Sequence, residues 1–170
     1  MELIIPNKRY FQSYLEAINE YKENNVITYD FLDASKFNIF EYMDNFRKGI
    51  NLPKNYVRAT YLWLVDEDEF IGEVSIRHSL TDQLLRFGGN IGYGIRFSKW
   101  NQGLGTLMLA LALKYGKDVI GLKKVLITCN DDNKASSRVI EKNGGLLRDK
   151  IMNNIDGIER LTRRYWIEIS

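Results

Sequence analysis

The segment from Ile91 to Tyr115 constrains the fold more than any other part of the sequence. An apolar strand candidate, Ile91 to Phe97, leads through a polar turn to Gly103, Leu104 and Gly105, and a helical run from Thr106 follows directly. The first backbone N–H groups of a helix have no acceptor within it, and the helix dipole adds partial positive charge there. Because glycine has no Cβ, this strand–glycine–helix arrangement predicts a site for a phosphate-bearing ligand.

The two glycines are also compatible with other kinds of turn. Paired glycines occur in ordinary strand-to-helix turns that bind nothing. A dinucleotide-binding loop requires a third glycine, and Met108 occupies its position. A nucleoside triphosphate loop requires Gly-Lys-Ser/Thr, and no lysine follows either glycine. If a phosphate-bearing ligand binds here, the sequence favours a ligand other than a dinucleotide or a nucleoside triphosphate.

Size and composition narrow the class of protein. A chain of 170 residues predicts one domain, 1–170, and 24 basic against 22 acidic residues give a net charge of +2, which argues against nucleic acid as a partner. With one cysteine, Cys129, and one histidine, His78, neither a disulfide nor a metal site is expected. The apolar run Leu107 to Leu113 is too short to span a bilayer, and Met1 to Pro6 does not resemble a secretory signal. We expect a soluble, cytoplasmic protein that does not bind membranes.

Hydrophobic periodicity predicts eleven elements in the order β-α-α-β-β-β-α-β-α-β-β. The predicted strands are Leu3–Ile5, Ala59–Val65, Phe70–His78, Asn90–Phe97, Lys124–Thr128, Leu146–Asn153 and Ile158–Ile169. The predicted helices are Tyr10–Tyr21, Ile39–Phe46, Thr106–Asp118 and Asp132–Lys142, and Thr81–Gly89 is predicted to be a polar connection. The order indicates a mixed α/β single domain with a mostly antiparallel central sheet, flanking helices and one strand–helix–strand unit.

Three segments in this order resemble the GNAT superfamily of N-acetyltransferases. They are Gly103–Gly105, which is similar to the coenzyme A loop Q/R-x-x-G-x-G/A, then the strand Val125–Thr128 with Asn133 and Ser136 after it, and the helix end Glu141–Gly145. The resemblance covers Ala59 to the C-terminus closely and the first part by element order. The run Arg164–Ile167 is also similar to a bacterial branch of predicted acetyltransferases. The resemblance implies a GNAT-like acyl-CoA N-acyltransferase fold.

The resemblance also implies acetyl-CoA as cosubstrate. In the family, two central strands part near the glycine loop, and the pantetheine arm docks between them like an added strand. The positions that carry over as cofactor-binding are Ile95 and Phe97 for pantetheine, Gln102, Gly103, Leu104, Gly105 and Thr106 for the pyrophosphate, and Asn133 and Ser136 for the coenzyme arm.

The sequence departs from the family pattern at two positions. Trp100 stands where the loop motif usually has glutamine or arginine, so a polar group near the phosphates is lost unless Lys99 or Lys134 replaces it. Many relatives carry a tyrosine seven residues after the asparagine, where it protonates the leaving thiolate. That position is Ile140 here, so another group or water has this role.

Three residues are candidates for the acid–base chemistry. Glu73 lies within an apolar strand and shares a face with Ser75 and Arg77; it is our first candidate for the base, although a solvent-facing side chain or a pair with Arg77 fits the pattern equally. His78 has a suitable intrinsic pKa but ends its strand, where a surface role is common. Tyr93 is placed to line the acceptor site or to pack on the sheet.

These observations favour an N-acetyltransferase that transfers acetyl directly from acetyl-CoA to a primary amine. The expected acceptor is a small molecule or a peptide terminus, and the protein is expected to be a monomer or a homodimer. A coenzyme A-binding sensor or interaction module without catalysis is the alternative, which the residues at Trp100 and Ile140 favour. A purely structural α/β domain is the third hypothesis.

Overall fold

A computed structural model describes the whole chain, Met1–Ser170, as two antiparallel sheets with five α-helices. The first sheet has the order β1 (Glu2–Ile4), β2 (Ala59–Asp66), β3 (Glu69–Arg77) and β4 (Ile91–Ile95). The second has the order β5 (Lys124–Asn130), β7 (Ile158–Glu168) and β6 (Leu146–Ile155). The helices are α1 (Phe11–Glu23), α2 (Ile39–Lys48), α3 (Asp82–Arg86), α4 (Leu104–Tyr115) and α5 (Lys134–Lys142).

Both faces of the first sheet are buried, because apolar side chains along its strands point alternately to one face and to the other. On one face, Leu62 and Val74 belong to a cluster of 17 buried residues that includes Met108 of α4 and Val125 of the second sheet. On the other face, Trp63 lies under α1 and α2 and stacks on Tyr14, with ring centroids 4.7 Å apart. Because successive side chains of a strand point to opposite faces, neighbouring residues such as Leu62 and Trp63 enter different cores.

The predicted element order is confirmed, with one helix added. Thr81–Gly89 is predicted to be a polar connection, but it contains α3, whose start is capped by the Thr81 hydroxyl accepting from the Leu84 N–H at 3.2 Å. Five helical residues are too few to show a helical period in the sequence. The capping side chain is the one sequence signal for this element.

The ends of several elements differ from the predictions. Helix α4 begins at Leu104 instead of Thr106, because Gly103 at φ +77° precedes it. After Tyr115 the chain continues as a π-helical turn, Gly116–Ile120, which ends at Gly121. Strand β5 extends to Asn130, two residues beyond its predicted end. These shifts are within the usual uncertainty of element boundaries.

The structure contains neither a helix able to span a bilayer nor a cluster of metal ligands. No helix is long and apolar enough to cross a bilayer. No group of three or more His, Cys, Asp or Glu side chains is placed to hold a metal ion.

Candidate active site

Strands β4 and β5 approach each other but belong to different sheets. Asn90, directly before β4, joins them at one point. Its N–H donates to the Leu126 carbonyl at 2.7 Å, and its Oδ1 accepts from the Leu126 N–H at 2.8 Å. Beyond Asn90 no ladder joins the two strands; the connection passes instead from the Tyr93 hydroxyl to Ser136, at the start of α5. We call this gap between β4 and β5 the wedge.

The edge of β4 that faces the wedge has no partner strand. The Asn90 carbonyl accepts from Arg77 at 2.7 Å, and the Arg96 N–H donates to the Ile71 carbonyl at 2.8 Å, so the even-numbered residues of β4 pair with β3. In an antiparallel ladder the intervening residues point their backbone groups the other way. The N–H and C=O groups of Ile91, Tyr93 and Ile95 therefore face the wedge.

The glycine loop lies where β4 ends. Gly103 has φ +77°, and a Cβ there would meet no atom within 4 Å, so the space in front of it is open. The first helical hydrogen bond of α4 runs from the Leu107 N–H to the Gly103 carbonyl. The N–H groups of Leu104, Gly105 and Thr106 therefore have no acceptor within the helix. Three free donors at a helix start form a potential phosphate site.

The remaining predicted cofactor positions lie around the same wedge. Phe97 follows β4 in a 3-10 turn, and the side chain of Gln102 donates to the Ser98 carbonyl at 3.3 Å. On the opposite wall, Asn133 caps α5 by accepting from the Ser136 N–H at 3.1 Å, which leaves its amide nitrogen for a ligand. The structure thus brings the two walls and the loop together.

The Ile95 carbonyl already has two donors. The Trp100 indole N–H donates to it at 2.7 Å and the Tyr21 hydroxyl at 2.6 Å. Trp100, at the position where the family has glutamine or arginine, thus contacts the edge of β4. Of the two lysines that could replace the lost polar group, Lys99 pairs with Glu69, and Lys134 donates one hydrogen bond to the Asp131 carbonyl.

An ion pair between Arg96 and Glu20 attaches helix α1 to the turn that joins β4 and the glycine loop. The Arg96 side chain is only 10% exposed, and its Nε donates to Glu20 at 2.6 Å. The second oxygen of Glu20 accepts from the Ser98 N–H at 3.0 Å. A further contact joins Arg96 to Glu69 at 3.3 Å. Because Glu20 contacts both the Arg96 side chain and the Ser98 N–H, this network ties the turn to α1.

Glu73 is buried in the other face of the first sheet. It is 0% exposed, so the alternatives of a solvent-facing or Arg77-paired Glu73 are both wrong. Its two oxygens accept from the Tyr29 hydroxyl and from the Trp63 indole N–H, each at 2.8 Å. Arg77 instead donates to the carbonyls of Gly88 and Gly89. Glu73 stands opposite Gly94 of β4, one residue before Ile95 at the open end of the wedge.

Burial controls the protonation of this carboxyl group. Desolvation raises the pKa of Glu73 from 4.5 to about 7, although the bonds from Trp63 and Tyr29 act in the opposite direction. A group that is half ionised near neutral pH is suited to accept and release a proton during turnover.

The other two candidates lie away from Glu73. His78 follows the end of β3 that pairs with the start of β4, the end remote from the glycine loop. It bonds to Thr60 at 2.9 Å, and burial together with nearby Arg58 lowers the pKa of its ring. Tyr93 belongs to the face opposite Glu73, and its hydroxyl lies 3.0 Å from Ser136 Oγ, on the side of the wedge formed by α5.

The position of the missing general acid lies in the core. Ile140 is fully buried in the main apolar cluster, so no hydroxyl replaces the family tyrosine there. Cys129 is buried as well, and burial raises the pKa of its thiol to about 11, as expected of a small apolar core residue and not of a nucleophile.

Two residues of this site are not among the catalytic or cofactor-binding residues predicted from the sequence. Trp63 and Tyr29 hold the Glu73 carboxylate, and Tyr29 lies in an irregular segment between α1 and α2 that has no period of its own. A Cβ at Gly94 would lie 2.7 Å from the Tyr29 ring, so glycine is required beneath it. The alternating glycines of Ile91–Ile95 are the sequence signal for this contact, because glycine within a strand often marks a close approach.

Parted strands, a glycine loop that opens a helix and two antiparallel sheets together define an acyltransferase fold of the coenzyme A-dependent type. The family model described as the acetyltransferase (GNAT) domain matches residues 12–145. The chain therefore belongs to the GNAT acetyltransferase family.

Several solved acetyltransferase structures have the same fold. The chain is similar to the microcin C7 self-immunity acetyltransferase MccE in complex with acetyl-CoA and AMP, with TM-score 0.71, 20% identity, and 98% and 91% of the two chains covered. It is similar to RimL, a ribosomal L7/L12 α-N-protein acetyltransferase, in complex with coenzyme A, with TM-score 0.74, 15% identity and 98% and 92% covered.

A third similar structure is a variant of the spermidine N-acetyltransferase SpeG from Vibrio cholerae, with TM-score 0.64, 16% identity, and 100% and 96% covered. No curated protein matches the chain in sequence.

Proposed function

We propose that the chain is an acetyl-CoA-dependent N-acetyltransferase that transfers the acetyl group directly to a primary amine. The observation that carries the proposal is the unpaired edge of β4, which leads into a helix start with three free N–H groups. An extended amide chain matches the first feature and a pyrophosphate matches the second. Similar structures bound to acetyl-CoA and to coenzyme A support this choice of cosubstrate.

The binding roles follow from position. The N–H groups of Leu104, Gly105 and Thr106 bind the pyrophosphate. Gly103 and Gln102, directly before them in the loop, line the path by which the phosphates reach these groups. Pantetheine pairs with the free groups of β4, at the N–H of Ile95 and beyond it at Phe97. The Asn133 amide and the Ser136 hydroxyl contact the coenzyme arm from the opposite wall.

The transfer forms a C–N bond and breaks the thioester C–S bond. An alkyl ammonium loses two protons over the reaction. One ends on the coenzyme sulfur, and the hydroxyls of Tyr93 and Ser136 are the donors we assign to that step in place of Ile140. The other passes to Glu73 and then to solvent. With an amine pKa near 10.4, such a base is useful at neutral pH.

The acceptor is a primary amine of a small molecule or of a peptide terminus. Structural relatives named for spermidine and for a ribosomal protein terminus motivate the first compounds to test. A panel should therefore contain spermidine, a short peptide with a free N-terminal serine, and a simple alkylamine. His78 is left out of the mechanism, because it lies at the end of β3 remote from the loop.

Thermal unfolding with and without millimolar acetyl-CoA tests the cosubstrate, with NADH and ATP as controls. A ligand that binds only the native state stabilises it by about 2.7 kcal/mol at 100 times its dissociation constant. A shift with acetyl-CoA alone, followed by release of coenzyme A thiol with one panel amine, supports the proposal. No shift with acetyl-CoA refutes it.

A coenzyme A-binding module without catalysis is the second candidate. Two observations favour it: Ile140 is buried where relatives have an acid, and Trp100 and Tyr21 already occupy the Ile95 carbonyl. It predicts the same thermal shift with acetyl-CoA but no thiol release with any amine of the panel.

A further inference from the structure

The geometry points to Tyr29 as a catalytic proton relay, which carries a proton from the acceptor amine to Glu73. The inference rests on the proposed transfer to an amine. It assigns a role to a residue of the irregular segment between α1 and α2 that neither the sequence motifs nor the family match single out.

Glu73 has no direct route to a substrate. Its side chain is 0% exposed, and each of its oxygens accepts one hydrogen bond from a neighbouring side chain. One donor, the Trp63 indole, is itself 0% exposed and has no lone pair with which to accept a proton. The other donor is the Tyr29 hydroxyl, and Tyr29 is partly exposed. Of the two hydrogen-bond partners of this carboxylate, Tyr29 is therefore the one that can both accept a proton and pass one on.

The Tyr29 ring is placed against the strand that borders the wedge. A Cβ on Gly94 would lie 2.7 Å from the ring, and one on Gly92 would lie 3.9 Å from it. The phenol thus lies across the face of β4 that carries Gly92 and Gly94, where no side chain is in its way. It reaches Glu73 on β3, the neighbouring strand, and neighbouring strands in a sheet are about 4.8 Å apart. Tyr29 therefore joins the buried carboxylate to the strand along which the thioester is proposed to lie.

The relay balances in protons. Because the Tyr29 hydroxyl donates its hydrogen to Glu73, its oxygen has a lone pair free for a donor. The ammonium gives one proton to this oxygen while the phenolic proton moves to the carboxylate. The products are a neutral amine, a neutral tyrosine and a protonated Glu73, which later returns its proton to solvent. Tyr29 never becomes a phenolate in this scheme.

No other charged group competes for the proton at Glu73. The titratable groups that face it are tyrosines: Tyr14 and Tyr21 of α1, Tyr61 of β2 and Tyr29 itself. Tyr14 donates to the Leu32 carbonyl instead. Arg77, on the same strand, is occupied by two backbone carbonyls.

The test uses Tyr29→Phe, which removes one oxygen atom, and Tyr61→Phe as the matched control on the same face. Thiol release is measured with the panel amine that the parent protein acetylates fastest, and acetyl-CoA affinity is measured by calorimetry. We expect Tyr29→Phe to lower kcat at pH 7 by about 100-fold, a normal effect of losing one acid–base group. Acetyl-CoA affinity and the Tyr61→Phe activity should stay within about twofold of the parent.

A pH profile separates a relay from a packing role. Towards pH 10 an alkylamine loses its proton to water, so the deficit of Tyr29→Phe should shrink to less than about tenfold. The Tyr29→Phe Glu73→Gln double variant should be no slower than Glu73→Gln, because the two residues act as one unit. A deficit that is equal at all pH values, or kcat within about threefold of the parent at pH 7, overturns the relay.

The same experiment distinguishes the two proposals. If the parent protein acetylates an amine and Tyr29→Phe does so equally well, only the relay is wrong. If acetyl-CoA binds but the parent acetylates no amine of the panel, the transferase proposal is refuted and the relay falls with it.

Discussion

Replacing Glu73 by glutamine should make the protein more stable above pH 7 while removing its activity. The carboxyl group has a pKa of about 7 in the fold and 4.5 when exposed. Between these values the folded chain binds more protons than the unfolded chain, so the stabilising contribution is complete below pH 4.5 and is lost as the pH rises through about 7. At about 1.36 kcal/mol per pH unit, the parent protein loses about 3 kcal/mol over this interval.

Glutamine has no proton to lose and can still contact both partners. Its carbonyl oxygen accepts from Trp63, and its amide donates to the Tyr29 oxygen, so each partner keeps one hydrogen bond to the side chain. The variant should therefore match the parent near pH 4.5 and exceed it by about 3 kcal/mol at pH 8. For a chain of this size that corresponds to roughly 6 to 12 °C in the unfolding midpoint.

Urea unfolding at pH 4.5, 6, 7 and 8 measures this difference in the free energy of unfolding. Glu159→Gln, on the exposed hairpin, is the matched control and should leave the pH dependence unchanged. Parallel stability curves for the parent and Glu73→Gln would refute the conclusion that Glu73 titrates near neutral pH within the fold.

Three further changes test other parts of the site. Gly103→Val should weaken acetyl-CoA binding by about tenfold or more. The control Gly121→Val changes a glycine with a similar positive φ and equally open space, so it should lose stability but keep its affinity for acetyl-CoA. Equal acetyl-CoA affinities of the two variants would disprove the loop assignment. Gly94→Ala should lower kcat and destabilise by about 1 to 3 kcal/mol, because its Cβ meets the tyrosine ring above it, and Gly92→Ala should have the smaller effect in both measurements. Cys129 should react with DTNB at pH 7 only after unfolding in urea, since burial raises its pKa to about 11; rapid labelling of the native protein would contradict this.

The element order was predictable because each long element carries its own period and its own end signal. Gly49 at φ +75° and Gly121 at φ +81° end their helices in the left-handed conformation that glycine favours. The closing hairpin turns at Asp156 and Gly157, both at positive φ, as an Asp-Gly pair predicts. The short helix α3 has no such period, and its position depends on one capping threonine.

The phosphate end of the site was predictable from the sequence, and the acid–base end was predictable only in part. The glycine loop is contiguous in the chain, so its residues predict its geometry directly. Glu73 stands out as an acidic residue in an apolar strand, but its environment depends on Tyr29 and Trp63, 44 and 10 residues away in sequence. Burial of a carboxylate by distant aromatics has no local signature, which is why the sequence alone leaves a solvent-facing Glu73 open.

Asn90 has a consequence for how the cleft comes to exist. Its backbone carbonyl and side-chain amide hold Arg77 on one side, while its N–H and Oδ1 hold Leu126 on the other. The side chain thus takes the Leu126 N–H, which a continuing ladder would have given to a main-chain carbonyl. Asn90 therefore ends the hydrogen-bonded contact between the two sheets at a fixed position in the chain. The wedge between β4 and β5 is thus a consequence of the residue at position 90.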